Sequence, residues 1–198
     1  MIICTPEPDQ HYMAWNLPNI LTWLRIVAIP LVVLLFYMPY WWADPAAGLL
    51  FAAAAVTDSL DGYFARRMGL TSRLGAFLDP VADKLIVAIA LVLLVSKDAQ
   101  LVVVLMAAVI IGREIAISAL REWMAELGQR TKVAVSEIGK YKTILQMVGL
   151  SMMLYRHDIL SLPIYQVGIV LSVIAAALTL FSMIMYLRSA WPALSAAD

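Results

Sequence analysis

Asp58-Ser59-Leu60-Asp61-Gly62-Tyr63-Phe64-Ala65-Arg66, followed eight residues later by Gly75-Ala76-Phe77-Leu78-Asp79-Pro80-Val81-Ala82-Asp83, decides how this chain is read. Asp58 and Asp61 are three apart and Asp79 and Asp83 four apart, so on helices each pair shares a face. Gly62 and Ala65 extend the first stripe; Gly75, one turn before Asp79, extends the second. The short connection Met68–Ser72 predicts antiparallel neighbours whose four carboxylates converge. Carboxylates that close repel one another, and some stay protonated unless a cation neutralises them. Oxygen-only ligands suit Mg²⁺, Mn²⁺ or Ca²⁺ rather than zinc. Two metals held by four aspartates form the clamp used in phosphoryl-type displacement. Gly62 and Gly75 leave room for a flat base or a phosphate to approach the backbone.

The sequence around these carboxylates is built for lipid. Of 198 residues, 63% are hydrophobic and only 14% charged, and the mean hydropathy is +0.86. A soluble protein of this size could not hide so much apolar surface. Ile26–Ala43, with Leu17–Leu24 ahead of it, makes a first span, and Ile159–Leu187 a last one without a charge. Between them lie four shorter apolar runs, Pro45–Thr57, Leu85–Ser96, Gln100–Gly112 and Thr143–Tyr155. A crossing takes about 20 residues, so each of the four must borrow charged residues at one end. The expectation is an all-α integral membrane protein of six transmembrane helices, at approximately 17–43, 45–67, 73–96, 99–121, 139–156 and 159–187. Residues 1–16 are expected to form a short interfacial segment, and 1–198 a single catalytic domain.

Alternation of crossings then sorts the charges. Arg25, Arg66, Arg67, Arg73, Lys84, Arg113, Arg121, Arg130, Lys132, Lys140, Lys142 and Arg188 fall on one side, Lys97 and Arg156 on the other. Basic residues mark the cytoplasmic face, so both termini and the polar cluster are expected to face the cytosol. Asp44, Asp98 and Asp158 fall on the outer loops. Cys4 is the one cysteine, which excludes an intrachain disulfide or a cysteine metal cluster. Residues 1–11 lack the basic start and apolar core of a cleaved signal, so the N-terminus is expected to be retained. His11 and His157 fall on opposite faces and cannot share a metal, and basic residues at membrane helix ends do not suit nucleic-acid binding. A divalent-cation or proton-coupled transporter would also place carboxylates in helices. The uniformly apolar outer halves Leu85–Val95 and Leu101–Ile111 speak against a polar path through the bilayer.

At this point the chain resembles a known family. Asp58, Asp61, Gly62, Ala65, Arg66, Gly75, Asp79 and Asp83 meet in full the pattern D-x-x-D-G-x-x-A-R-x(8)-G-x-x-x-D-x-x-x-D, which looks like the signature of the CDP-alcohol phosphotransferases, membrane enzymes of phospholipid synthesis with six helices. The resemblance implies that the four aspartates hold Mg²⁺ or Mn²⁺, often as a dinuclear site. It implies that Asp83 is the base for the acceptor hydroxyl, and that Gly62, Ala65, Arg66 and Gly75 cradle the CDP moiety. A homodimer in the bacterial-type cytoplasmic (inner) membrane is implied as well.

Choice of alcohol must come from elsewhere. Arg113 and Arg121 stand two turns apart at the end of the fourth span, and Lys140 and Lys142 open the fifth on the same side. Guanidinium and ammonium groups converging on a helix-lined cavity suit a phosphate-bearing acceptor, where a free polyol or amine would not need them. The positive-inside bias accounts for Arg130 and Lys132, but poorly for Arg113, which lies deeper. Arg113-Glu114, Ser118-Ala119-Leu120-Arg121-Glu122, Val133-Ala134-Val135-Ser136, Gly139-Lys140 and Lys142-Thr143 resemble the phosphatidylglycerophosphate synthase branch of the family, as does Asn16-Leu17-Pro18-Asn19-Ile20-Leu21-Thr22-Trp23-Leu24-Arg25. This implies CDP-diacylglycerol as donor and sn-glycerol 3-phosphate as acceptor, with Thr22, Arg113, Arg121, Lys140 and Lys142 as candidate contacts. Inositol phosphate is the alternative acceptor. Asn19, Thr22 and Arg25, spaced by three, could equally cap the first helix and anchor it at the interface.

Overall fold

In the computed structural model the backbone is described at residues 17–68, 73–126 and 138–194, and side chains at 22–57, 78, 80–124 and 141–188. The described residues form six helices and no sheet. These are α1 (Leu17–Tyr37), α2 (Ala43–Met68), α3 (Arg73–Lys97), α4 (Leu101–Glu126), α5 (Ile138–Tyr155) and α6 (Ile164–Leu194). The expected interfacial segment 1–16 lies outside the described residues.

Helix ends fall where local chemistry places them. Asp44 occupies the first turn of α2, where a carboxylate complements the macrodipole. Asp98 accepts a hydrogen bond from the Gln100 backbone N–H at 3.2 Å just before α4. Four boundaries differ by five residues or more from the sequence expectation: α4 runs on to Glu126 rather than 121 and α6 to Leu194 rather than 187, and the other two have local causes. The first span stops at Tyr37, not at residue 43, because Pro39 disfavours helix in the residue before it. The last helix starts at Ile164, not at 159, because the chain reverses tightly first. Leu160 and Ser161 both take positive φ there, and Ile159 and Leu162 pair across the turn. α6 then opens behind Pro163, a residue suited to a helix start.

The helices pack in a closed circuit: α1 on α2, α2 on α5, α5 on α6, α6 on α4, α4 on α3, and α3 back on α1, with α3 and α5 also touching across the interior. Glycines allow the closest approaches. A Cβ on Gly48 of α2 would stand 2.6 Å from the Tyr155 backbone nitrogen of α5, and one on Gly168 of α6 would stand 2.8 Å from the Gly149 carbonyl of α5. Small residues at helix crossings are what bundles in lipid use, since packing there cannot rely on the hydrophobic effect. The core between the helices contains Phe36, Phe51, Leu91, Leu94, Ile110, Leu150 and Met153, all fully buried. Large apolar side chains also cover the outside, Val92, Leu105, Ile115, Ile144 and Phe181 among them. Two helices, over Leu101–Met124 and Ile164–Arg188, are long and apolar enough to cross a membrane by length and composition alone; Thr22–Tyr37 and Ala43–Thr57 are shorter apolar stretches.

The two ends of the bundle differ. At the end carrying the α1–α2 and α3–α4 connections, Lys97 pairs with Asp44 at 3.0 Å, donates to the Phe36 carbonyl and lies 4.5 Å from the centre of the Phe36 ring. The Arg156 guanidinium stacks near the same ring and near Tyr165, and Tyr165 donates to Asp98. These contacts join α1, α2, α3 and α6 with residues at the ends of α3 and α5. Tyr40 stacks on Trp42 beside an exposed Trp41, the amphipathic aromatics favoured at a membrane–water boundary.

Candidate functional site

The opposite end holds the chemistry. On α2, helical register puts Asp58 and Asp61 on one face, with Gly62 and Ala65 on the same side. On α3, Gly75, Asp79 and Asp83 follow at intervals of one turn. The side chains of Asp58, Asp61, Gly62, Ala65, Arg66, Gly75 and Asp79 lie outside the described residues, so the convergence of four carboxylates does too. Among the described residues no group of three or more His, Cys, Asp or Glu side chains could hold a metal.

Asp83 is described, and its surroundings are informative. Arg25 of α1 is 1% exposed, and its guanidinium donates to a carboxylate oxygen of Asp83, whose side chain remains 36% exposed. A guanidinium this buried needs an anionic partner, because isolated charge away from water is strongly disfavoured. Of the two roles open to Arg25, the structure shows a reach from α1 to α3, where it pairs with the candidate base. Thr22, three residues earlier, is also buried. It lies on the helix face that carries Arg25.

Across the interior, α4 and α5 supply positive charge. Arg113 and Lys142 are each 8% exposed. Arg113 donates to Glu114 at 2.5 Å, while its buried Nε has no hydrogen-bond partner among the described residues. Lys142 lies within electrostatic range of Arg113 and Arg121, which repel it, and of Glu114, which attracts it. Arg121 is exposed on α4; the Lys140 side chain lies outside the described residues. Lys84, next to Asp83, donates to Ser118 of α4 at 2.5 Å and so fixes the register of α3 against α4.

The depth of the cations follows from the α2–α5 crossing. Gly48 meets Ser151 and Tyr155 there, in antiparallel helices. Asp58 lies ten residues beyond Gly48, and Lys142 nine before Ser151 and thirteen before Tyr155, so they stand ~15 Å and ~14–20 Å from the crossing at 1.5 Å per residue. Lys142 therefore lies within about one turn of the level of Asp58. One turn deeper on α5, Gln146 is 7% exposed, and among the described residues its amide makes no hydrogen bond. Sequence reasoning passed over Gln146, although an amide in the apolar run Thr143–Tyr155 was a readable signal, since polar groups within a span are expensive.

The donor set fits a hard divalent cation. It is oxygen-only, it is arranged in two helical pairs, and its one described carboxylate, Asp83, is partly open and held in place by Arg25. Opposite it, buried cations with unused hydrogen-bonding capacity suit a phosphate.

Comparison with known proteins agrees with this chemistry. Residues 15–191 match the family described as CDP-alcohol phosphatidyltransferase. A Shigella flexneri serotype 5b protein named CDP-diacylglycerol--glycerol-3-phosphate 3-phosphatidyltransferase is 54% identical over 178 residues, covering 90% of this chain and 96% of the relative. A protein of the same name from Escherichia coli K12 is 53% identical over the same shares.

Proposed function

The chain belongs to the CDP-alcohol phosphatidyltransferase family, and on that footing we propose that it transfers the phosphatidyl group of CDP-diacylglycerol to sn-glycerol 3-phosphate, releasing CMP. The observation that carries the acceptor is the pair of buried cations, Arg113 and Lys142, which lie within electrostatic range of one another. A free polyol or amine would leave the Lys142 charge without an anion and the Arg113 Nε without an acceptor, whereas a phosphate monoester serves both. The names of the relatives support the same donor and acceptor.

Asp58, Asp61, Asp79 and Asp83 would hold Mg²⁺ or Mn²⁺ as a dinuclear site, whose chemistry would be to offset charge on the diphosphate. Asp83 takes the proton from the 1-hydroxyl of the acceptor, whose oxygen then attacks the β-phosphorus as the bond to CMP breaks. Arg25 holds the Asp83 carboxylate in place for that transfer. Arg113 and Lys142, with Arg121, Lys140 and Thr22, bind the acceptor phosphate. Gly62, Ala65, Arg66 and Gly75 receive the CDP moiety.

The same reading treats 1–198 as one membrane-embedded catalytic domain. Six crossings are supported by the closed circuit of helices with apolar outer faces. The inner membrane, cytosolic termini, a cytosolic opening of the site and a homodimer complete the proposal. The test is purified protein in lipid–detergent micelles with CDP-diacylglycerol, Mg²⁺ or Mn²⁺, and a panel of acceptors. Metal-dependent CMP release is expected with sn-glycerol 3-phosphate. Release with inositol phosphate in its place would refute the acceptor, and no release with any acceptor would refute the reaction.

A further inference from the structure

We propose that Glu114 is the resident counter-ion of the acceptor site: its carboxylate occupies Arg113 while the site is empty and gives way to the acceptor phosphate, so that it loosens the hold on substrate and product alike. The inference rests on the acceptor reading above and adds to it a residue that competes with the ligand instead of contacting it.

Three observations lead to it. Arg113 donates to the Glu114 carboxylate at 2.5 Å, and Glu114 also lies within electrostatic range of Lys142. The two members of the pair differ in their access to water, the Arg113 side chain being 8% exposed and that of Glu114 32%. The turn that carries Glu114 is tied to α3, because Lys84, next to Asp83, donates to Ser118 at 2.5 Å and Ser118 donates to the Glu114 carbonyl at 2.6 Å. The pair therefore stands on the stretch of α4 that is fastened to the helix of the candidate base.

Adjacent residues on a helix do not face each other, so Arg113 meets its neighbour only by turning its guanidinium toward the flank where Glu114 reaches water. A guanidinium this buried cannot stand without an anion, whereas a carboxylate one-third exposed returns to water at small cost. A phosphate is the stronger partner. It carries two charges, and its oxygens can accept from the guanidinium and from the Arg113 Nε, which has no partner among the described residues. The exchange puts one anion in place of another and leaves no buried charge alone. Around Lys142, the cations Arg113, Arg121 and Lys142 itself carry three positive charges against the one negative charge of Glu114. Three less one leaves two, which a phosphate dianion cancels. The acceptor keeps its phosphate through the reaction, so the same cations hold the product. A carboxylate beside Arg113 takes the place of that phosphate as the product leaves.

The test measures, by CMP release, the KM for sn-glycerol 3-phosphate and the competitive Ki of inorganic phosphate in wild type, Glu114→Gln and Glu122→Gln. Neither constant depends on how much of a variant folds. Glu114→Gln keeps the shape of the side chain and removes its charge, and it is expected to lower both constants by about 5- to 30-fold, the effect of removing one water-screened unit charge from contact with a dianion. Glu122→Gln removes the same charge from an exposed position on the same helix, and both constants should stay within about twofold of wild type. Constants that are unchanged or raised in Glu114→Gln, or an equal fall in Glu122→Gln, overturn the proposal and leave the acceptor reading in place. Wild type that releases no CMP with glycerol 3-phosphate, or whose release inorganic phosphate does not compete with, overturns it together with the acceptor reading.

Discussion

Arg25 shows how a single side chain can be visible in a sequence while its role is not. The spacing of Asn19, Thr22 and Arg25 marks a helix face, but only the fold reveals that this face meets Asp83 across 58 positions of sequence. Arg25→Ala is expected to lower kcat by about 10- to 100-fold while KM for glycerol 3-phosphate changes little, since it removes a buried partner of the base rather than an acceptor contact. Arg25→Lys should recover part of the loss, because it restores the charge but not the guanidinium geometry. A KM rise at constant kcat would point to acceptor binding instead. Asp83→Asn is expected to lower turnover by at least about 10²-fold, the lower range for a positioned general base, and near-normal CMP release would remove Asp83 from that role. The two helical pairs of aspartates could be read as a pattern from spacing alone, and of the four only Asp83 has a described side chain. The depth of Gln146 could not be read, because the burial of one amide is known only from the packing of the helices around it.

Among the helices, the close crossings decide whether the site can form. α5 carries Lys142 and Gln146, and it is seated by Gly48 of α2 on one side and by Gly168 of α6 on the other. Gly48→Ala places a carbon 2.6 Å from backbone atoms of α5, and backbone cannot rotate away as a side chain can. The expected outcome is a loss of about 1–3 kcal/mol, the range for overpacking, read as a lowered melting midpoint in detergent. A raised KM for the acceptor should accompany it, since α5 must shift relative to the α2 carboxylates. Gly112 of α4 is the contrast, with nothing within 4 Å of a Cβ there, and Gly112→Ala should leave both quantities unchanged. Helix number and order could be read from hydropathy and charge. The glycine contacts could not, because glycine is common in membrane helices and its spacing does not say which partner it meets.

At the scale of the molecule, charge is divided between two ends with different tasks. The basic residues expected outside, Lys97 and Arg156, do meet at one end, where Asp44, Phe36 and Tyr165 occupy them. This closes the bundle opposite the site and argues against a continuous path for ions. If that end faces outward, Leu160→Cys, at a side chain 92% exposed, should react in intact cells with a membrane-impermeant maleimide in a Cys4→Ser background. Trp123→Cys, on the exposed face of α4 near the other end, should react only after the membrane is opened. The reverse pattern would invert the topology. Chelation should abolish CMP release, and Mg²⁺ or Mn²⁺ should restore it. The circuit of helices also has a consequence for a chain still being made. Its order in space is α1, α2, α5, α6, α4, α3, so the last two helices to leave the ribosome close the gap between the second and the fourth. A nascent chain of four helices already contains every aspartate of the motif but neither Lys142 nor Gln146. On the proposed reading such a chain lacks a complete seat for the alcohol, so a truncation after α4 is expected to release no CMP with glycerol 3-phosphate.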